Sequence, residues 1–197
     1  MRIEMRIIFY FLALLLVIAI LGRVYAAWPL YVDRIGRIAD TVAYKTGKEI
    51  EKEFPYLRYA GAGGGMKDGV IQKESMIFQI RKILSKNEGI ILITRILDKY
   101  LKNLYAEKKL HQYLKEHPFT YKNLEVVLII YDSQGKDAFH PNISEFSLRT
   151  GVLCYRTLIP SEEYYYETKS RIEEPYEEAA KRLGIWKDCY LHYETLE

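Results

Sequence analysis

From Ile7 to Leu21 the chain carries an unbroken apolar run, opened by Arg2 and Arg6 and closed by Gly22-Arg23. Water does not tolerate such a segment, so it must enter lipid, be removed after export, or be buried as a core helix. A secretory signal has a basic start, an apolar stretch of about 7–15 residues and a small-residue cleavage site. Val24-Tyr25-Ala26 supplies the last, with cutting before Ala27. A spanning anchor wants about 20 apolar residues. The run reaches that length only by continuing through Val24 to Leu30, with Arg23 snorkelling and Tyr25, Trp28 and Tyr31 at headgroup level. A core helix fits least, because no polar face interrupts the run. Bulky Ile and Leu continue almost to its end, which weighs slightly toward the anchor. On either reading residues 7–27 meet the lipid bilayer and the bulk of the chain lies outside the cytoplasm. It is then held by a single N-terminal span, or is periplasmic or secreted if the signal is cleaved after Ala26. No Cys stands directly after the run, which argues against a lipid-modified bacterial start.

The remainder reads as a folded domain. Over 197 residues, 49% are hydrophobic and 28% charged, which excludes a disordered or collagen-like chain. The length suits one domain, at most two. A net charge of +3 is too small for the basic face that nucleic-acid binding requires. Without residues 1–26 the chain loses Arg2, Arg6, Arg23 and Glu4, and the +3 falls to +1. Two Cys are too few for a disulfide framework or a four-thiolate zinc site. In an oxidising compartment Cys154 and Cys189 are free to pair; a free Cys154 thiol buried in Gly151-Val152-Leu153-Cys154-Tyr155 fits equally well.

Periodicity divides the chain into 1–27, signal or anchor; 28–55, a helical stalk; and 56–197, an α+β domain. Ile35, Ile38, Val42, Ile50 and Phe54 recur at helical steps from Asp33 to Phe54, with Asp33 as N-cap and Pro55 beyond the end. The glycine run Gly61-Ala62-Gly63-Gly64-Gly65 fails as a phosphate cradle: the G-x-G-x-x-G spacing is broken by Met66 or Asp68, and no helix follows. It reads as a flexible hinge or a crowded entry to a sheet. Val70 to Lys82 alternates as a long strand. Ser85-x-x-Glu88 is a capping box ahead of a helix with Ile90, Ile93, Leu97, Leu101, Leu104 and Tyr105 on one stripe. Glu107 to Glu116 follows as a shorter helix ended by Pro118. Leu124 to Tyr131 is a continuous apolar strand. Ile143 to Arg149 and Val152 to Leu158 form a hairpin through Thr150-Gly151. Glu173-Glu174-Pro175 opens a last helix stopped by Gly184. The expected fold is α+β: a mixed, mostly antiparallel sheet of about four strands with one layer of helices, preceded by an N-terminal apolar helix.

Ser85-x-x-Glu88, Leu101-Lys102-Asn103, Tyr113-Leu114, Pro118-Phe119-Thr120-x-x-Asn123 and the preceding Gly63-Gly64-Gly65-Met66 resemble an uncharacterised family of short exported or N-terminally membrane-anchored bacterial proteins, from Gly61 to Gly184. The resemblance implies location and architecture; it brings no activity and no catalytic residues.

No catalytic constellation emerges from spacing. His111, His117, His140 and His192 include no i, i+4 pair of the zinc type. Asp132-Ser133-Gln134-Gly135-Lys136-Asp137 with His140 holds the residue types of a serine hydrolase, yet they surround one turn and Ser133 lacks a G-x-S-x-G elbow. The same turn lacks calcium-loop spacing. Glu162-Glu163 and Glu173-Glu174 are adjacent, whereas glycosidase carboxylates face each other across a cleft. Asn142-Ile143-Ser144 is a formal glycosylation sequon. Two features stand out. Tyr numbers 18, and Tyr164, Tyr165 and Tyr166 are consecutive; in an extended segment at least one must point outward. Charge is also segregated, with basic residues in excess over 73–116 and seven Glu over 161–178. The leading expectation is a non-enzymatic protein-interaction module of the cell envelope. Its candidate partner surface is Tyr164, Tyr165 and Tyr166, its protein partner is unknown, and it uses no cofactor, metal or nucleic acid. The alternative is an envelope enzyme or small-ligand-binding domain, favoured if Asp132, His140 and Arg149 converge in one pocket.

Overall fold

Two glycine-bearing turns, Asp68-Gly69 and Thr150-Gly151, close two hairpins of the sheet. The computed structural model describes residues 14, 16–19, 34–115 and 118–186 of the chain, in two compact units, 1–37 and 38–197. In the first unit the described residues are helical. Among the described residues no helix is long and apolar enough to cross a membrane. The run from 7 to 27, apart from positions 14 and 16–19, lies outside them.

The second unit contains a six-stranded sheet in sequential order: β1 (Leu57–Lys67), β2 (Val70–Arg81), β3 (Leu124–Tyr131), β4 (Glu145–Arg149), β5 (Val152–Ser161) and β6 (Tyr165–Pro175). Only β2 and β3 are parallel, joined through helix α2 (Lys86–Ala106); every other pair is antiparallel. The α+β class and the mixed sheet stand, but the strand count is six rather than about four. The glycine run is not a hinge: it is the edge strand β1, turned onto β2 by Asp68 (φ 53) and Gly69 (φ 77). Both turn residues have positive φ, as a two-residue hairpin turn of this hand requires. Glycine has no side chain to alternate, so β1 shows no period in the sequence, yet its backbone pairs with β2 along its length, with register shifts at Tyr59/Gly61 and Gly65/Met66. The sixth strand, β6, escapes because its residues are exposed on both faces. Thr150 (φ 47) and Gly151 (φ 79) make the expected turn between β4 and β5.

The helices share one face. Register places Phe78, Leu128 and Phe146 in one row on one side of the sheet; α2 (Lys86–Ala106) meets Phe146, and helix α1 (34–53), from residue 38 onward, meets Tyr59 of β1. A Cβ at Gly89 of α2 would sit 2.2 Å from the Phe146 ring, and one at Gly47 of α1 would sit 2.4 Å from the Tyr59 ring. These two glycines therefore set how closely the helices approach the sheet. The Ser85 capping box is formed, and Ile90, Ile93, Leu97, Leu101 and Leu104 are buried. The segment expected as a stalk divides: from residue 38 it belongs to the same compact unit as the sheet. Ala39, Val42, Ala43, Thr46 and Ile50 are buried, and Asn103 of α2 donates to Thr46 Oγ1 (2.9 Å) and Glu49 (3.0 Å). The shorter helix expected over 107–116 is a 3-10 turn, Lys108–Tyr113, because Glu107 leaves helical geometry at ψ 79. The last helix, α3 (Tyr176–Arg182), starts after Pro175, and Glu173-Glu174 remain in β6.

Candidate functional site

The β5–β6 hairpin outgrows the sheet. β4 pairs with β5 only as far as Glu145↔Arg156, and the segment before β4 reaches Leu158 through the His140 N–H (2.8 Å) and Ser144 Oγ (2.9 Å). Past Leu158, among the described residues, β5 and β6 pair only with each other, through Ile159↔Glu167, Pro160↔Tyr166 and Ser161↔Tyr165. The arm closes around Ser161. Its hydroxyl donates to Glu167 (2.7 Å) and accepts from the Glu163 and Tyr164 N–H groups (both 3.3 Å). The Tyr166 N–H then donates to the Tyr164 carbonyl (2.6 Å), with Tyr165 between them at φ 65. An i→i+2 bond about a positive-φ residue is the rarer, strained γ-turn. Its centre here is a bulky Tyr, which disfavours this region.

Tyr164, Tyr165 and Tyr166 sit at this tip, 67%, 79% and 50% exposed. Tyr165 and Tyr166 meet edge to face with centroids 6.1 Å apart. Below them, Tyr165, Tyr166, Leu158, Tyr131, Lys136, Phe139 and neighbours line a groove of about 650 Å³. Glu162 and Glu163 immediately precede the tyrosines, with carboxylates that bond to nothing among the described residues.

The other acidic residues of 161–178 are mostly used within the fold. Glu174 is a hub. It accepts from Tyr155 (2.6 Å) and from Arg182 (2.9 and 3.1 Å), and pairs with Lys86 at 2.8 Å. Burial pushes its carboxyl up, but the hydrogen bonds from Arg182, Lys86 and Tyr155 prevail and hold it at about 2. Glu173 points to the opposite face and pairs with Arg171 (Nε 2.8 Å). Adjacent residues of a strand face opposite sides, so the two carboxylates do not form a pair.

The remaining sequence candidates do not assemble. Asp132 Oδ1 accepts from the Gln134 and Lys136 N–H groups (2.8 and 2.9 Å), which is turn chemistry. Arg149 lines a pocket that neither Asp132 nor His140 lines. His111 bonds the Tyr105 carbonyl (2.8 Å); His117, His192 and Cys189 lie outside the described residues. Cys154 is a half-buried free thiol. Among the described residues no three His, Cys, Asp or Glu are grouped to hold a metal.

One group had no sequence signal. Glu74 of β2 is 3% exposed and accepts from Tyr100 of α2 (3.1 Å). Burial lifts its carboxyl to about 7, against the lowering hydrogen bond from Tyr100 and with the Asp40 charge pushing further up. A Cβ on Gly64 would stand 2.9 Å from its Oε1. The bare strand β1 thus makes room for this acid.

No protein-family model matches the chain, and no curated protein or solved structure does either.

Proposed function

We propose that this chain is a non-enzymatic interaction module of the cell envelope, tethered through residues 7–27, that engages a protein partner with the tip of its β5–β6 arm. The observation that carries the reading is the exposure of Tyr164, Tyr165 and Tyr166 side by side on a hairpin that extends past its sheet. Clustered exposed aromatics are costly in water and mark contact surfaces. Tyr brings large, rigid contact area at low entropy cost. The strained turn at Tyr165 supports the same reading, since strain persists where it serves a function. Unpaired Glu162 and Glu163 beside the tyrosines suit a partner surface that is basic around an apolar centre. The resemblance to exported or membrane-anchored bacterial proteins fits this placement.

A photo-crosslinking residue at position 165, in membranes from cells making the full chain, tests it. A discrete adduct should form and should vanish when Tyr164 and Tyr166 become Ala. Each Tyr→Ala change should alter stability by about 0.5 kcal/mol or less, while a hot-spot loss costs about 2 kcal/mol of binding. No adduct, or the same adduct from exposed position 108, would overturn the reading; so would a melting temperature that drops for all three variants. Alkaline carbonate extraction addresses the tether: an intact anchor leaves the protein in the pellet, an N-terminus at Ala27 marks a cleaved signal, and a full-length cytosolic product refutes both.

A further inference from the structure

We infer that the face of the sheet opposite α2 carries a second site, separate from the arm's tip: a pocket that binds the oxyanion group, phosphate or carboxylate, of a small anionic ligand. Residues on β4, β5 and β6 build it. Register sets Ser147, Cys154 and Glu173 in one row and Glu145, Arg156 and Arg171 in the next, on the side opposite Phe146 and α2. With Arg149 and Thr150 at the turn they enclose about 330 Å³. That is the lower end of small-molecule pockets, too small for a macromolecular groove.

The charges in this pocket are arranged unequally. Three arginines face two glutamates. Arg156 pairs with Glu145 and Arg171 pairs with Glu173, so two positive charges are matched and two guanidinium planes are held in place. The third, Arg149, makes no hydrogen bond or ion pair among the described residues. Neither does the hydroxyl of Ser147, although Ser147 is buried. Arg156 Nε has no acceptor, but it has no accessible surface either, so a ligand in the pocket does not reach it. An acceptor that suits a guanidinium is a planar or tetrahedral oxyanion, which takes two N–H groups at once and gains from the charge. A net positive wall, an unpaired Arg and a free hydroxyl in one small pocket all favour the same chemistry.

Cys154 lines the pocket and supplies a reporter. Full-length protein in mild detergent is treated with iodoacetamide, and alkylation of the Cys154 peptide is followed by mass spectrometry. Inorganic phosphate, succinate and sodium chloride are compared at equal ionic strength. Phosphate or succinate should slow alkylation saturably, with chloride ineffective. Protection by phosphate alone assigns a tetrahedral group, and by succinate alone a carboxylate. Arg149→Gln should raise the half-protecting concentration about tenfold at an unchanged melting temperature, the loss of one charged hydrogen bond. Ser147→Ala should shift it less, in the same direction. If neither anion outdoes chloride, or if Arg149→Gln leaves the midpoint in place, the site is not an oxyanion site. Calorimetric titration with the same anions decides the matter without the thiol: absence of saturable heat overturns the proposal. None of these outcomes depends on the tyrosine tip.

Discussion

Two buried or half-buried carboxylates pull this protein's stability in opposite directions with pH. Glu74 has a folded value of about 7 against an ordinary 4.5, so the native state keeps its proton after the unfolded chain has lost it. Its contribution is therefore full below pH about 4.5 and is lost as pH rises through about 7, on the order of 3 kcal/mol in all. Glu74→Gln keeps a neutral acceptor for Tyr100 and removes the titration. Urea melts from pH 5 to 8 should show the wild type losing stability while the variant stays level, and parallel curves would contradict the assignment. Glu174 has the reverse sign. Held at about 2, it stabilises above pH about 4.5 and loses that contribution as pH falls through about 2. Its side chain is only 16% exposed, so the effect is again on the order of 3 kcal/mol. Glu174→Gln should be less stable than wild type at pH 6 and converge on it near pH 2, read by the same melts.

At the scale of elements, α2 is the helix that closes the main core. Its Leu97 is fully buried, and Leu92 and Ile96 beside the expected stripe are buried as well. Leu97→Ala should cost about 2–5 kcal/mol, as a cavity-forming truncation does. A loss below about 0.5 kcal/mol in chemical denaturation would place that stripe in solvent. The arm obeys the opposite logic. A two-stranded ribbon alone is marginal in water, and the arm's far end is held by ladder bonds and the Ser161 turn rather than by a core. Its aromatic side chains are consequently available for contact.

For the whole folded unit, the question is where it begins. A chain starting near Pro55 would retain the sheet and the Ser85-capped helix. It would lose buried Val42 and Ile50, the bonds from Asn103, and the Glu51 carboxylate that accepts from the Tyr59 N–H at 2.7 Å. Each buried Val or Ile is worth about 1.5–3 kcal/mol. A chain starting at Ile38 should therefore unfold cooperatively, and one starting at Pro55 should be several kcal/mol weaker. Equal midpoints and slopes in urea would show that α1 lies outside the cooperative unit.

Where local chemistry suffices, the residues alone are legible. Strand β3 follows from an apolar run, the start of α2 from Ser85 and Glu88, and the β4–β5 turn from Thr150-Gly151, because each signal lies within a few neighbouring residues. Asp68-Gly69 carries an equally local hairpin signal, but β1 itself shows no alternation, because Gly61, Gly63, Gly64 and Gly65 have no side chains to alternate. The exposure of the tyrosines was half legible: alternation demands that one point outward, while the arm's extension past its neighbours exposes all three. Tertiary structure alone decided the rest. Glu74 is buried because Tyr100, 26 residues on, and the bare Gly64 backbone enclose it. Helix α1 packs rather than stands apart because Gly47 lets the Tyr59 ring approach. Arg149, Arg156 and Arg171 share a pocket only through the pairing of β4 with β5 and of β5 with β6. Such long-range pairings depend on register and close approach, quantities that no window of neighbouring residues contains.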